Sequence, residues 1–439
     1  MKHVLVLGAG LVSQPLIRYL LDKGHDVTVA ALSIAGVENL IAQYDNGRAI
    51  LLDLEDELKL GVLINKSDVV VSLLPFALHP LVAKACVERR KHMVTTSYVS
   101  PAMQALNADA LATGVTLLNE IGVDPGLDHM SALRVINAVK RDGGKVVSFR
   151  SYCGGLPAPC NNDNPFGYKF SWSPRGVLLA SRNDARYLVG GRLFEIPPHR
   201  LFRDMHLCYV EGAGDFEAYP NRDSLTYREI YGLEDIETLF RGTLRNIGFC
   251  DTMFSFRQLG LLELDEIDVR DKTHADMVRG LIDAGPQEDL RTATARRLNV
   301  SPQAAPIINL EWLGMLSEKP FEVETTTPLD ALVEIMFAKL RYNPGEQDMV
   351  VLLHKIDARY PNGKRVHITS RMVDQGIKGG DSSMSRTVSL PAAIATEMIL
   401  EGRFTQRGVL RPTMPTLYDP VLNELETMNI KCHEATETY

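Results

Sequence analysis

Asp124, Tyr98, Cys153 and His129 are the side chains of this 439-residue chain whose types and settings suit proton transfer. A carboxylate, phenol, thiol or imidazole can take or give a proton near neutrality once its surroundings tune its pKa. Asp124 leads the group. It closes the apolar run in "NEIGVDPG", where it can pair with a ligand's ammonium. Its ordinary alternative is a turn-forming aspartate before Pro125-Gly126. Tyr98 ends "HMVTTSY" in the same manner, while Cys153 in "SYCGG" also suits a small core position. His129 falls in the first turn of an expected helix and reads as structural. Two cations complement these groups. Arg222 in "YPNRDS" and Arg245 in "RGTLR" stand in loop-like or strand-end contexts, and a guanidinium is suited to bidentate capture of a carboxylate. No Ser-His-Asp or Cys-His order stands out. Asp204, His206 and Cys208 in "DMHLC" alternate on an expected strand face and could mimic metal ligands, but three on one short strand rarely converge on an ion, so no metal is expected.

The elements that must hold these groups begin at the amino terminus. "HVLVLGAGLVSQPLIRYLLDKGHDVTVA" reads as a strand, a turn at Gly8-Ala9-Gly10, a helix with Leu16, Ile17, Leu20 and Leu21 on one side, and a strand from Asp26 to Ala30. Glycines at such a turn let backbone N–H groups and a helix N-terminus approach a pyrophosphate, so a dinucleotide is expected there. Ser13 replaces the third glycine of the usual fingerprint. No acid falls within Ala30-Ala31-Leu32-Ser33, where NAD sites hold the ribose, so NADP is favoured over NAD, although no arginine waits there to receive the 2′-phosphate. The candidate cofactor contacts are Gly8, Gly10, Leu11, Val12, Ala31, Ser33, Asp53, Leu74, Val123 and Pro125.

Strands in "SDVVVSLLP", "HMVTTSYVSP" and "VTLLNEIGVDPG" then alternate with helices, the last helix capped by Asp128, which implies an α/β fold with a doubly wound parallel sheet. Leu73-Leu74-Pro75, Ser97-Tyr98 and Val123-Asp124-Pro125 fall at strand carboxyl ends, where such sheets bind ligands. Further on, Phe166, Tyr168, Phe170 and Trp172 alternate with small or polar residues and read as a strand with one aromatic face and Lys169 on the other. Ser173-Pro174 should start a helix through "RGVLLASRNDARYL". Residues 250–320 carry helical spacing, "MVVLLHKIDARYPNGKRVHITSRMV" reads as a hairpin turning at Pro361-Asn362-Gly363, and a helix from Pro391 should close at Gly402.

Composition sets the frame. The length predicts two or three domains, and 45% apolar with 23% charged residues is typical of a soluble globular protein. The net charge of −8 argues against nucleic acid, and no apolar run approaches the roughly 18 residues of a membrane span. Six scattered cysteines without a C-x-x-C pair fit a reducing compartment, hence the cytoplasm.

"SYVSPAM", "NEIGVDPGLDH", "SYCGGLPAPCNNDNPFGYKFSWSPRGVLL", "YPNRDS", "RGTLR" and "RGVLRPTMPTLYDPVLNEL" occur in an order that resembles the saccharopine dehydrogenase family, L-glutamate-forming type, over nearly the whole chain. The resemblance implies a Rossmann domain over 1–125 completed by about 390–439, an α/β substrate-binding and dimerisation domain over 126–250 and 321–389, and a helical domain over 251–320. It implies a homodimer that interconverts L-saccharopine with L-glutamate and 2-aminoadipate 6-semialdehyde. The substrate contacts it implies are Ser97, Tyr98, Asp124, Arg222, Thr243, Leu244 and Arg245, with Asp124, Tyr98 and Cys153 as candidates for the chemistry. The segment from Gly154 to Pro174 would line the cleft between the cofactor and substrate domains. The rival expectations are an imine-reducing dehydrogenase of polyamine metabolism (carboxyspermidine-type), whose cationic substrate would suit acidic pocket residues better than arginines, and a non-catalytic NADP-binding regulator.

Overall fold

Valine and leucine fill the strand His3–Leu7 without a polar break, and Val4 to Leu7 are wholly buried. Continuous apolar runs of this kind mark strands covered on both faces. In the computed structural model, which describes residues 2–439, this strand lies inside a seven-stranded parallel sheet. The order is Gly408–Leu410, Thr116–Leu118, His92–Thr95, Val69–Ser72, His3–Leu7, Asp26–Ala31 and Gly47–Leu51. It is the doubly wound sheet expected from the alternation of strands and helices. Strand order reverses between His3–Leu7 and Val69–Ser72, and ligands of open α/β sheets bind outside the strand carboxyl ends at such a reversal.

The helix Gln14–Asp22 buries Leu16, Ile17, Leu20 and Leu21 as their spacing predicts, with Pro15 in the first turn. Two helix starts differ from expectation. Asp128 does not precede its helix but sits inside the first turn of Leu127–Arg141. There it accepts the N–H of Gly126 at 2.6 Å, so the cap reaches backward from within. The helix predicted from Pro391 begins at Ser383, with Ser382 accepting the Ser385 N–H and Pro391 inside. A mid-helix proline forfeits one backbone bond. The complete burial of Ala392, Ala393, Ile394 and Ala395, beside a nearly buried Leu390, offsets that loss. The helix ends as expected, with Gly402 left-handed at φ +71° and its N–H on Ile399 O.

Two units divide the chain, one comprising Met1–Lys145, Ala358–Val366 and Gly380–Tyr439, the other Val146–Asp357 and His367–Gly379. The second unit is built on a nine-stranded mixed sheet in which His206–Val210, Gly214–Pro220, Thr238–Arg245, Lys145–Pro157, Asp348–Arg359 and Arg365–Gln375 are successive neighbours. The last two strands form the expected hairpin, with Tyr360 N–H on Lys364 O and Gly363 at φ +84°. The helices Phe249–Gln258, His274–Leu281, Leu290–Leu298, Ala305–Leu313 and Pro328–Leu340 share one hydrophobic core with this sheet. Thr273 and Asp276 close a reciprocal capping box on the second of them.

The aromatic stretch is not a strand. Residues 163–173 run through turns and bends with one isolated bridge, Phe170 to Arg341. Phe166, Tyr168 and Phe170 nonetheless all reach the core, at 1–2% exposure. Backbone groups that a strand would pair with a neighbour are satisfied locally, because the Asn164 side chain accepts from Phe166 N–H and donates to Tyr168 O. Gly167 is left-handed at φ +57°, and a Cβ there would lie 2.7 Å from Asn246 Cβ. Lys169 is not solvated either. It is buried between Asp163 and Glu346, at 2.9 and 2.8 Å. Ser173 caps its helix through the Gly176 N–H, but the helix stops at Ala180. Ala185–Val189 is instead one arm of a hairpin turning at the left-handed Gly190 and Gly191. The alternation of Asp204, His206 and Cys208 is not kept either. The strand starts at His206, while Asp204 sits in the preceding turn and accepts from Tyr187 Oη. Cys208 lies in the core, and His206 faces Tyr152 Oη.

Candidate active site

Gly8 follows the first strand at φ +106° and donates its N–H to Ala30 O at 2.9 Å. A Cβ at Gly8 would lie 3.0 Å from Leu73 O, whereas one at Gly10 would meet nothing within 4 Å. The turn is thus pinned on one side and open on the other, which suits close approach of a pyrophosphate to backbone N–H groups and a helix N-terminus. Ser13 is fully buried and its hydroxyl donates to Gly10 O at 2.9 Å, which locks the turn from behind. Leu11 and Leu32 are exposed around the open side; Ala31, Ser33 and Leu74 are half-buried or exposed at neighbouring strand ends. Asp53, past the next strand, accepts the Glu55 N–H and faces solvent. These residues fit a dinucleotide, whose chemistry is to accept or return a hydride.

Ser97, Tyr98 and Val99 lead out of the strand His92–Thr95 and are held from both sides. Glu120, buried and left-handed at φ +57°, donates its N–H to Ser97 O at 3.0 Å and accepts the Val99 N–H at 2.9 Å. The same carboxylate takes Arg411 Nε at 2.9 Å and His129 Nε2 at 3.0 Å. Burial alone would raise the Glu120 carboxyl. The hydrogen bond and charge of His129, the Arg411 guanidinium and the Val99 N–H override it and hold the group down at about 2. His129 is therefore an organising residue, as its place in the first helical turn suggests. Tyr98 Oη donates to Asp124 Oδ1 at 2.8 Å, which unites the two leading proton-handling candidates. Asp124 is half-buried between Val123 and Pro125, both buried.

His79 reaches the same loop from the other side. Its Nε2 lies 2.8 Å from Ser97 Oγ and its Nδ1 2.9 Å from Ser72 Oγ. Burial pushes its pKa from 6.5 down to about 4. A histidine with a depressed folded pKa contributes stability that is complete above 6.5 and lost as pH falls toward 4, because only the unfolded chain binds the proton in that window. We expect this residue alone to cost on the order of 3 kcal/mol across it, at about 1.4 kcal/mol per unit. Urea unfolding at pH 7 and pH 5 should show a smaller loss in His79→Gln than in the wild type; equal losses would remove His79 from the account of acid sensitivity. Sequence reasoning missed Glu120, Arg411 and His79. Their only local signal is a polar residue beside an otherwise apolar strand end.

In the second unit, Arg245 ends the strand Thr238–Arg245 and is 5% exposed. Its guanidinium lies over the rings of Tyr168 and Phe249, at 5.0 and 5.3 Å, and donates from one terminal nitrogen to Leu244 O at 2.8 Å. Its Nε has no partner. Glu217 is its cross-strand neighbour, yet turns both oxygens to the N–H groups of Gly248 and Cys250, at 2.9 and 2.8 Å. Among the described residues no carboxylate pairs with Arg245; the groups acting on its charge are Tyr219, Tyr168, Cys250 and Cys153. A buried cation without a counter-charge is costly, and an anionic ligand would relieve it. Cys153 and Thr243 are register partners on adjoining strands, and Thr243 in turn faces Tyr219. A Cβ at Gly154 would lie 2.7 Å from Leu244 O, so only glycine lets these strands approach so closely. The structure thus gathers Arg245, Leu244, Thr243 and Cys153.

Arg222 stands apart from that group. It lies in the loop after Gly214–Pro220, exposed, left-handed at φ +55°, with its carbonyl on Arg186 N–H and Asn221 N–H on Arg241 O. Arg241 precedes Arg245 by four residues of strand, roughly 13 Å at about 3.3 Å per residue.

Two family models match the chain: the saccharopine dehydrogenase NADP binding domain over residues 4–118 and the saccharopine dehydrogenase C-terminal domain over residues 122–430. The chain is 37% identical to saccharopine dehydrogenase [NADP(+), L-glutamate-forming] of Schizosaccharomyces pombe over 99% of both chains. It is 38% identical to the protein of the same name from Saccharomyces cerevisiae, over 97% of both. The structure of apo histidine-tagged saccharopine dehydrogenase (L-Glu forming) from Saccharomyces cerevisiae superposes with a TM-score of 0.88 and 36% identity, covering 100% of each chain.

Proposed function

The chain belongs to the saccharopine dehydrogenase family, and on that premise we propose that it is an NADP-dependent oxidoreductase of lysine metabolism. It interconverts L-saccharopine and water with L-glutamate and 2-aminoadipate 6-semialdehyde. The observation that carries this reading is the buried, uncompensated guanidinium of Arg245, because saccharopine brings three carboxylates and a secondary amine. Thr243, two residues earlier on the same strand, and the backbone of Leu244 offer polar groups to a bound carboxylate, and Arg222, well separated from Arg245, suits a second carboxylate of a long substrate.

NADP, when bound, accepts the hydride from the carbon next to the amine nitrogen. The chain's own groups do the rest. The backbone of Gly8 and Gly10 leaves room for the pyrophosphate. Asp124 takes the proton that the secondary ammonium must lose before hydride departs, and Tyr98 keeps one of its oxygens oriented by a hydrogen bond. Water then adds to the substrate imine, and proton transfer to the nitrogen lets the carbon–nitrogen bond break. The balance is one hydride transferred and one proton released. Cys153 contributes the small wall beside Arg245. The test is NADPH appearance with saccharopine against carboxyspermidine. Turnover of saccharopine supports the reading, and turnover of carboxyspermidine alone would replace it.

The assembly in this reading is a homodimer. It is supported by the strand His206–Val210 at the sheet edge, which leaves Leu207 65% and Tyr209 61% exposed. An unpaired edge carrying large apolar side chains invites pairing with another chain. Light scattering should return a dimer for the wild type and a monomer for Leu207→Asp/Tyr209→Lys; a monomeric wild type would sink this part. All six cysteines are free thiols, which supports a reducing compartment, the cytoplasm.

A further inference from the structure

His79 opens the helix His79–Glu88 and is 2% exposed, yet none of the steps above uses it. Its ring bridges two neighbouring parallel strands at their carboxyl ends. Ser72 ends one, Thr95 ends the other, and the two are register partners. Nδ1 meets Ser72 Oγ at 2.9 Å; Nε2 meets Ser97 Oγ at 2.8 Å and Thr95 Oγ1 at 3.3 Å. Of these four residues only Ser97 is partly exposed; Ser72 and Thr95 are at 0% and 1%.

The burial pattern fixes which nitrogen carries the proton. A neutral imidazole donates from one nitrogen and accepts at the other. Burial keeps this ring neutral at working pH. Ser72 is fully buried, and among the described residues its hydroxyl's one partner is His79 Nδ1. A proton on Nδ1 would leave the Ser72 hydroxyl a buried donor with no acceptor, which costs more than the alternative tautomer. Nδ1 therefore accepts, and Nε2–H points at Ser97 Oγ. Having accepted that bond, Ser97 keeps its own proton to give away. Thr95 Oγ1 and the Ser97 N–H, 3.4 Å apart, steady the same turn.

We propose that His79 is a positioning residue that fixes Ser97 as a hydrogen-bond donor toward a carboxylate of the substrate, with Ser72 setting the tautomer. This rests on the saccharopine reading and deepens it by assigning a direction to one contact. A serine left to rotate would present lone pairs as readily as its proton, and lone pairs repel a carboxylate. The arrangement therefore discriminates for an anionic group at Ser97 over a cationic one.

The test uses five variants of the enzyme, each checked for its fold by near-ultraviolet circular dichroism and for NADP affinity by titration. His79→Leu should raise the saccharopine KM about tenfold, the worth of roughly one hydrogen bond to a charged group, with kcat and NADP affinity within about twofold. His79→Gln, whose amide nitrogen can stand in for Nε2–H, should bring KM back to within about threefold of the wild type. Ser97→Ala should match His79→Leu, and the double variant should be no worse than Ser97→Ala, because the two residues act as one unit. Additive losses in the double variant would overturn the proposal. So would equal weakening of NADP and saccharopine by His79→Leu, the mark of a merely structural residue. If His79→Leu does not fold, Ser72→Ala frees the tautomer and should raise KM by about threefold; an unchanged KM there counts against the proposal. A wild type that turns over saccharopine while Ser97→Ala has an unaltered KM defeats this inference alone. A wild type inert toward saccharopine defeats the functional reading beneath it.

Discussion

Arg245→Met should leave the free enzyme as stable as the wild type or more so, while weakening saccharopine by about 2–4 kcal/mol, roughly 30- to 900-fold. The two effects have opposite signs for one reason. Arg245 is 5% exposed, pairs with no carboxylate among the described residues, and leaves Nε without a partner. Its stabilisation within the free protein comes from the faces of Tyr168 and Phe249 and one bond to Leu244 O. Methionine is similar in reach, keeps the aromatic contacts and removes the desolvated charge. Substrate binding then loses the cation that a carboxylate would meet in a site of low dielectric. Urea unfolding without ligand and the saccharopine KM measure the two halves. Marked destabilisation with an unchanged KM would mean that Arg245 serves the fold and not the ligand.

The second large effect is expected at Asp124. Asn keeps an oxygen to accept the Tyr98 hydroxyl bond, so the local geometry survives while the base is lost. Loss of a positioned general base costs about 10²- to 10⁴-fold, and Asp124→Asn should lower kcat by an amount in that range with NADP affinity nearly unchanged. Tyr98→Phe should cost less, about tenfold, since it only loosens the carboxylate. Stopped-flow measurement of the first turnover checks both. A full-amplitude hydride step at wild-type rate in Asp124→Asn would move the base to another residue.

Much of this was legible in the sequence. The glycine turn, the apolar strands and the alternation of elements are local signals, since each strand's neighbours in the sheet need not be known to recognise it. The aromatic stretch failed for the complementary reason. Period-two alternation describes which side a residue faces, but a strand also needs a partner, and Asn164 supplies the backbone bonds instead. The burial of Lys169 on the face opposite the aromatics was not visible, because its acid, Glu346, lies 177 residues away. Glu120 and Arg411 are separated by 291 residues, so the clamp on Ser97 to Val99 exists only once the carboxyl-terminal segment has joined the first sheet. Arg245 itself was picked out by residue type and setting, but its burial without a counter-charge was not visible there.

The most direct measurement is a crystal structure of the enzyme with saccharopine and NADPH. A substrate carboxylate should lie within about 3 Å of the Arg245 guanidinium, engaging the Nε left without a partner in the free protein. An occupied complex in which Arg245 still faces only Tyr168, Phe249 and Leu244 would contradict it.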